Sequence, residues 1–178
     1  MIFLLPPSET KEPGGKKMAK VLSHKELDKT RKLLQQALVE ICKNPALAAK
    51  ALKLGPKQLS EIQVNLELTV PKCIPALDRY TGTLYDALKE GGVTSSMATR
   101  AKKSVFIQSS LFGLISAGDL IPNYRLSAGS KLPGVNLKQL WNTAHEDIWS
   151  KLAKDIVIDL RSNAYVELAP VPEYIESY

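Results

Sequence analysis

Three short apolar runs stand out from the alternation of polar and apolar residues along the chain. Residues 2–5 read Ile-Phe-Leu-Leu and end at two prolines, residues 105–108 begin Val-Phe-Ile, and residues 156–160 read Ile-Val-Ile-Asp-Leu. Runs of this length that end at turn or polar residues are typical of buried strands. The pattern therefore predicts three buried strands.

Helical periodicity is clear between the first two strands. Leu27, Leu34, Leu38 and Ile41 fall on one helical face, which predicts a helix that ends near Lys43. Ser23 and Glu26 have the spacing of a capping box at its start, so His24 is expected to be a surface residue of the first turn. Asn44 and Pro45 then have the order of a helix cap followed by proline at the first helical position.

The second helix is predicted over 46–54, with a third that reaches about Leu66. Further helices are predicted over 83–89, 94–103 and 137–152, and residues 11–20 are expected to form a mobile basic loop. Strands that alternate with helices favour an α/β fold. The prediction is a mixed sheet surrounded by helices, with an N-terminal helical part that contains a candidate helix-hairpin-helix.

The composition favours one domain with one core. The chain has 178 residues, of which 44% are hydrophobic, and this length suffices to bury about two thirds of the unfolded surface. No apolar run approaches the roughly 20 residues of a membrane helix, and the opening apolar run is too short for a signal peptide. A cytoplasmic protein with no membrane partner is therefore expected. Cys42 and Cys73 are interpreted as apolar fillers, with a redox-sensing thiol as the less favoured alternative.

The positive charge is concentrated in the first third of the chain. The net charge is +6, and residues 1–57 hold 12 Lys and Arg against 5 acids, whereas residues 58–178 hold 12 against 13. Such asymmetry is what a nucleic-acid contact surface would leave in a sequence. A well-solvated lysine-rich surface explains the charge equally well.

The turn between the second and third helices offers a candidate DNA contact. In a helix-hairpin-helix, backbone N–H groups and a nearby lysine hold a DNA phosphate without reading bases. The residues with this placement here are Lys53, Gly55 and Lys57. The pattern is not specific, because any helix pair that turns on one glycine matches it.

Polar residues collect directly after the predicted strands, where a cleft at the strand ends would place them. The candidates in this predicted cleft are Ser8, Glu9, Thr10, Lys11, Tyr80, Thr81, Asp119, Tyr124, Arg125, Asp159, Arg161, Ser162 and Tyr165. The alternative interpretation is structural: Asp159 with Arg161, or Asp119 with Arg125, would pair to fasten loops.

A small anionic ligand is the chemistry that these residue types favour. Arg125 and Arg161 carry guanidinium groups, whose planar fork fits a phosphate in a bidentate way. Tyr80 and Tyr124 would stack on a base or close the cleft, although an aromatic residue in plain packing would look the same.

Other chemistries lack their usual residues. His24 and His145 are the two histidines of the chain and neither lies in these motifs, and G-x-S-x-G is missing. The segment Gly91-Gly92-Val93-Thr94 lacks the lysine and spacing of a phosphate loop, and Gly129-Ser130-Lys131 also fails the pattern. No His, Cys or carboxylate pairs recur at metal-ligand spacing, so neither a metal nor a cofactor is expected.

Several of these segments together resemble the YaaA family of peroxide stress response proteins, most closely its actinobacterial branch. The segments are residues 3–11 (Phe-Leu-Leu-Pro-Pro-Ser-Glu-Thr-Lys), 78–82 (Asp-Arg-Tyr-Thr-Gly), 111–114 (Leu-Phe-Gly-Leu), 124–129 (Tyr-Arg-Leu-Ser-Ala-Gly) and 156–165 (Ile-Val-Ile-Asp-Leu-Arg-Ser-Asn-Ala-Tyr). Residues 1–178 are accordingly interpreted as a single YaaA-like domain. Members of the family usually continue through a further strand and a basic stretch, so the domain is expected to be shortened at its C-terminus.

The resemblance implies a non-enzymatic cytoplasmic protein of the peroxide stress response. It implies non-specific binding of double-stranded DNA through a helix-hairpin-helix in a positively charged cleft. It also implies a part in iron homeostasis that limits iron-dependent oxidative damage. The alternative hypothesis is an enzyme or binding protein for a phosphorylated or nucleotide ligand at the strand ends. A third hypothesis is a shortened member that is partly or wholly inactive.

Overall fold

The computed structural model of the protein describes residues 1–18, 22–92, 97 and 103–178. The described strands form a four-stranded sheet and a three-stranded sheet. In chain order they are β1 (Ile2–Leu5), β2 (Lys16–Lys17), β3 (Lys72–Pro75), β4 (Val105–Ser109), β5 (Gly113–Ser116), β6 (Leu120–Pro122) and β7 (Val157–Asp159).

The larger sheet is mixed and has the order β5-β4-β1-β7. Strand β1 pairs in parallel with both β4 and β7, and β5 returns antiparallel to β4. Leu5 of β1 lies opposite Ile107 of β4, while Leu4 lies opposite Asp159 of β7. The three apolar runs of the sequence therefore form adjacent strands, and the predicted α/β fold with a mixed sheet is confirmed.

The smaller sheet, in the order β2-β3-β6, is antiparallel and the sequence did not reveal it. Its strands are two to four residues long, and prolines at 75 and 122 obscure the strand pattern. Strand β2 and a bridge between Lys11 and Tyr80 give paired structure to part of residues 11–20. The prediction of a mobile loop is wrong for these residues, because both segments find backbone partners, whereas residues 19 and 20 lie outside the described part.

Helices form about half of the remaining described chain. The α-helices are α1 (Asp28–Cys42), α2 (Pro45–Leu52), α3 (Glu61–Leu66), α4 (Ala76–Arg79), α5 (Thr83–Glu90), α6 (Leu137–Leu152) and α7 (Asn163–Val166), with 3-10 turns at Lys25–Leu27, Pro56–Gln58 and Glu67–Thr69. The helices predicted over 83–89 and 137–152 are confirmed. The one predicted over 94–103 falls mainly outside the described residues. No helix in the described ranges is long and apolar enough to span a bilayer.

The start of α1 differs from the predicted capping box. The hydroxyl of Ser23 donates to Asp119 at 2.8 Å instead of capping the helix, and Glu26 forms an ion pair with Lys151. A 3-10 turn therefore precedes α1. His24 is also not a plain surface residue, because its ring lies 5.4 Å from that of Phe106 and its Nε2 atom is buried.

The turn between α2 and α3 does not confirm a helix-hairpin-helix. Asn44 caps α2 as predicted, accepting a hydrogen bond from the Leu47 amide at 3.2 Å. The left-handed residue that ends α2 is Lys53, with φ 56°, whereas Gly55 is extended with φ −76°. The Gly55 amide donates to the side chain of Gln58 at 3.1 Å. A hairpin glycine amide that is already bonded is less available to a DNA phosphate.

One cluster of buried apolar side chains joins the helices to both sheets. Helix α6 places Trp141 at its centre, where the indole Nε1 donates to the Ser110 carbonyl at 2.8 Å. Gly113, with φ +65°, lies directly beneath this ring. The buried position of both cysteines agrees with their interpretation as fillers, and burial raises the pKa of the Cys42 thiol.

Replacing Gly113 with alanine should destabilise the fold much more than the same change at Gly134. Both glycines have positive φ, near +65° and +69°, but a Cβ at Gly113 would lie 2.6 Å from Trp141, whereas nothing lies within 4 Å at Gly134. Gly134→Ala should therefore cost about 1 kcal/mol in backbone strain, and Gly113→Ala a further 1–3 kcal/mol, roughly, from overpacking. Urea unfolding of both variants measures the difference, and equal losses would contradict this packing.

The buried His145 should make the protein less stable as the pH falls below about 6.5. Its Nδ1 donates to the Trp141 carbonyl at 2.7 Å, and burial lowers the pKa of His145 to about 3. Because the folded-state pKa is depressed, the unfolded state binds the proton first, and stability is lost as the pH falls from about 6.5 toward 3. His24, with its pKa lowered to about 4 chiefly by burial, acts in the same direction.

The free energy of unfolding should thus be about 2 kcal/mol lower at pH 5 than at pH 7.5 because of His145 alone. In the variant His145→Asn this difference should shrink, whatever the substitution does to stability at pH 7.5. An unchanged difference would show that His145 does not titrate in this way.

Candidate functional site

The carboxyl ends of β1, β4 and β7 meet at one edge of the larger sheet, because the three strands are parallel. The prolines at 6 and 7 end β1, and the chain then turns back across this edge as residues 8–12. There the segment 10–12 pairs with residues 79–81: Thr81 N donates to Thr10 O at 3.2 Å and Glu12 N to Arg79 O at 2.8 Å. The edge at which the sequence predicted a site is therefore covered by two paired segments.

A chain of three hydroxyl groups lies beneath these segments. The Tyr80 and Tyr124 hydroxyls are 2.9 Å apart, and the Tyr124 hydroxyl is 2.7 Å from Oγ of Ser109, the last residue of β4. Both tyrosines are fully buried. Burial raises the pKa of each phenol, so both stay neutral and serve as hydrogen-bonding groups.

Lys11 lies over these tyrosines. Its Nζ atom donates to the carbonyls of Ser8 at 2.9 Å and Glu9 at 3.3 Å, and lies 4.4 Å from the centre of the Tyr124 ring. Burial first, and repulsion by Arg125 second, lower the pKa of Lys11 to about 7. The protonation of the Lys11 amine therefore changes near neutral pH, and an anion placed beside it would favour the protonated form.

Arg125 adds a second buried cation. Its side chain is 8% exposed and donates from Nη2 to Oε2 of Glu9 at 2.8 Å, whereas Glu9 is 58% exposed. The Nε atom of Arg125 is buried and has no hydrogen-bond partner among the described residues. Tyr165 adjoins this pair and interacts with Ser110 and the Ala128 backbone.

These groups define the strand-end site: residues 8–11, 80–81, 124–125 and 165. It brings together nine of the thirteen residues that the sequence predicted for a cleft: Ser8, Glu9, Thr10, Lys11, Tyr80, Thr81, Tyr124, Arg125 and Tyr165. At its margin Thr10 Oγ1 lies 3.1 Å from Ser8 Oγ and donates to Thr81 O at 3.3 Å.

The other predicted residues have structural partners. Asp119 accepts hydrogen bonds from Ser23 and from the Ser116 amide, so it fastens the turn between β5 and β6 and does not pair with Arg125. Arg161 forms an ion pair with Asp159 at 2.6 Å, which is the structural alternative that the sequence left open. Ser162 is exposed and precedes α7 without capping it through its side chain.

Sequence reasoning missed Arg79 and Ser109. Arg79 is fully buried, and its guanidinium donates to the carbonyls of Ile121, Gly14, Lys72 and Glu12. Arg79 lies in the Asp-Arg-Tyr-Thr-Gly segment, which could have identified it, but a functional role was predicted from the sequence for the neighbouring tyrosine instead. Ser109 could have been found as the polar residue that ends a buried strand.

A second surface includes Lys53, one of the three residues that the sequence predicted to contact DNA. Lys53, Lys131 and Lys138 line a groove of about 690 Å³ beside Gly129, and we call it the lysine groove. The Lys131 amide donates to the Ala51 carbonyl at 2.8 Å, which holds the loop against the end of α2. Lys57 is exposed on the following 3-10 turn. Among the described residues no group of three or more His, Cys, Asp and Glu side chains could hold a metal ion.

Replacing Arg79 should weaken the fold and the strand-end site together. Arg79→Met leaves four backbone carbonyls without this donor, of which that of Ile121 is buried and the others are partly buried, so we expect a loss of at least about 3 kcal/mol in the free energy of unfolding. Arg79→Lys keeps the charge but cannot span four carbonyls, so it should recover part of the loss. Urea unfolding measures both, and a loss below about 1 kcal/mol for Arg79→Met would contradict this role.

Comparison with known proteins covers nearly the whole chain. The family described as peroxide stress protein YaaA matches residues 1–176. A UPF0246 protein of Corynebacterium efficiens is 38% identical over 180 residues, covering 97% of this chain and 71% of that protein. A UPF0246 protein of Streptomyces coelicolor is 36% identical over 171 residues, covering 93% of this chain and 66% of that protein. The chain therefore belongs to the YaaA family of peroxide stress proteins.

Proposed function

We propose that the protein acts in the peroxide stress response of the cytoplasm by binding double-stranded DNA without sequence preference. It does so through the lysines of the α2–α3 turn and the lysine groove. This binding helps to limit iron-dependent oxidative damage, and it requires no enzymatic step by the protein itself. Membership of the peroxide stress family supports the physiological part of the proposal.

The observation that carries the DNA proposal is the clustering of lysines from distant parts of the chain. Lys53 and Lys57 follow α2, whereas Lys131 and Lys138 come from the loop before α6 and from α6 itself. Lys53 Nζ lies 3.3 Å from the position that a Cβ on Gly129 would take, so the two segments are in contact. Within this group one ion pair is formed, between Lys138 and Glu167 at 3.1 Å, among the residues that the structure describes.

The groove suits a phosphate backbone better than a base edge. Its cationic groups are exposed lysines, which act as mobile point charges and bind phosphate with little geometric demand. Such contacts position a protein on DNA without reading sequence. The turn at Gly55 is not required for them, so the proposal does not depend on a helix-hairpin-helix.

The iron part of the proposal follows from the chemistry of peroxide. Peroxide damages DNA mainly after reaction with ferrous iron, so a protein that keeps unincorporated iron low, or covers the DNA, limits the damage without peroxidase chemistry. In cells that express the protein under peroxide, free iron and DNA strand breaks should both be lower than in cells that lack it.

Binding of duplex DNA should weaken steeply as salt rises, and the double variant Lys53→Ala, Lys57→Ala should reduce that slope. Each lost phosphate contact removes about 0.9 from the slope of log K against log salt, so a loss between about 1 and 2 is expected. Fluorescence anisotropy with two unrelated duplexes measures the slope and the sequence preference together.

A matched control removes the same charge elsewhere. Lys151 and Lys154 lie at and beyond the far end of α6, about 20 Å along the helix from Lys138. The variant Lys151→Ala, Lys154→Ala should leave the slope nearly unchanged. Equal slopes for the wild type and the Lys53, Lys57 variant would remove this surface from the proposal, and absence of binding by the wild type would refute it.

A further inference from the structure

We propose that the strand-end site binds a phosphate group between Lys11 and Arg125, and that the carboxylate of Glu9 occupies part of this place until the phosphate displaces it. The site is separate from the lysine groove and rests on different residues. It therefore stands or falls independently of the proposed DNA binding.

The charges of the site are out of balance. When Lys11 is protonated, Lys11 and Arg125 bring two positive charges to a largely buried place, whereas Glu9 brings one negative charge and is 58% exposed. The two cations are close enough for Arg125 to disfavour the charged form of Lys11. Buried charges are normally paired, and two cations that repel each other favour the entry of a further anion.

Arg125 has donors left for such an anion. The hydrogen bond to Glu9 uses Nη2, and within the described residues Nε has no acceptor although it is buried. The backbone of Arg125 is fixed by Asn65, whose side chain accepts from its amide at 2.7 Å and donates to its carbonyl at 2.9 Å. The Nε–H and Nη2–H groups of a guanidinium are parallel, so a phosphate that displaces Glu9 from Nη2 would accept hydrogen bonds from both.

Lys11 supplies the second contact. A lysine ammonium has three N–H donors. Two of them bind the carbonyls of Ser8 and Glu9, which leaves the third for a ligand. Glu9 contacts both cations, since its backbone carbonyl accepts from Lys11 and its carboxylate accepts from Arg125. The carboxylate thus acts as an internal competitor for the ligand.

The position in the fold favours a ligand from solvent. Ligands of α/β proteins bind beyond the carboxyl ends of parallel strands, and this site lies beyond those of β1 and β4. Gly82, with φ +99°, lies at its margin, where an added Cβ would meet the hydroxyls of Ser8 and Thr10 at 3.4 Å. Exposed Glu9 and Thr10 mark the open side.

Isothermal titration calorimetry with inorganic phosphate tests the proposal directly. The variant Glu9→Gln removes the competing charge from an exposed side chain, so it should fold normally and bind phosphate roughly threefold to tenfold more tightly. Lys11→Met should weaken binding by about tenfold or more. Lys154→Ala, whose exposed lysine lies beyond the end of α6 and outside both cationic surfaces, should bind as the wild type does.

The pH dependence gives a second readout. Affinity for sulfate, whose charge is constant between pH 6 and 8, should fall by up to about tenfold over that range as Lys11 loses its proton. The other charged groups that act on Lys11 are Arg125, Glu61, Glu9 and Arg79. The fall should be absent in Lys11→Met.

Two further ligands distinguish the source of the phosphate. Adenosine 5′-monophosphate should bind more tightly than inorganic phosphate if the ligand is a small phosphorylated molecule. Duplex DNA should bind Glu9→Gln and wild type equally, because DNA is proposed to bind the lysine groove. Tighter binding of DNA to Glu9→Gln would instead show that a DNA phosphate enters the strand-end site. Failure of the wild type to bind inorganic phosphate at millimolar concentration, or equal affinity of wild type, Glu9→Gln and Lys11→Met, would overturn the proposal.

Discussion

The arrangement of the strand-end site depends on one buried guanidinium. Arg79 is inaccessible to solvent and donates to four backbone carbonyls, on residues 12 and 14, on β3 and on β6. Among the described residues no carboxylate forms an ion pair with it. Burial lowers the pKa of Arg79, but a guanidinium keeps its proton, so the carbonyl dipoles must stabilise the charge. Removing the group would leave four backbone acceptors without this donor.

The hydrogen bonds of Arg79 join the smaller sheet to the segment that crosses the strand ends of the larger sheet. The carbonyls bonded to Arg79 belong to the segment that crosses the strand ends and to the smaller sheet, and the next residue, Tyr80, bridges to Lys11. The hydroxyl chain from Tyr80 through Tyr124 then reaches Ser109 at the end of β4. Lys11 and Arg125 are thereby positioned over a rigid base, although their segments are more than a hundred residues apart.

Much of the larger sheet and of the helices followed from the sequence, because apolar runs and helical periods report burial directly. Strand β1 and helix α6 were predicted at their observed bounds. The smaller sheet was not, because its short, proline-bearing strands gain their stability from partners distant in sequence. The capping box failed for the same reason, since Asp119 competes for the hydroxyl of Ser23. For the site, strand-end position and residue type identified Lys11, Tyr80, Tyr124 and Arg125, but pairing partners such as Glu9 with Arg125 required three dimensions.

Two cationic surfaces of different character follow from this structure. The lysine groove carries exposed, mobile charges and suits a backbone of phosphates, whereas the strand-end site holds two largely buried cations in fixed positions. The most direct test of this division is an amide NMR titration in which phosphate and then duplex DNA are added to one sample. The account predicts that phosphate shifts the resonances of residues 8–11, 80–82 and 124–125, and that DNA shifts those of residues 50–57 and 128–131. Perturbation of one common set of residues by both ligands would contradict it.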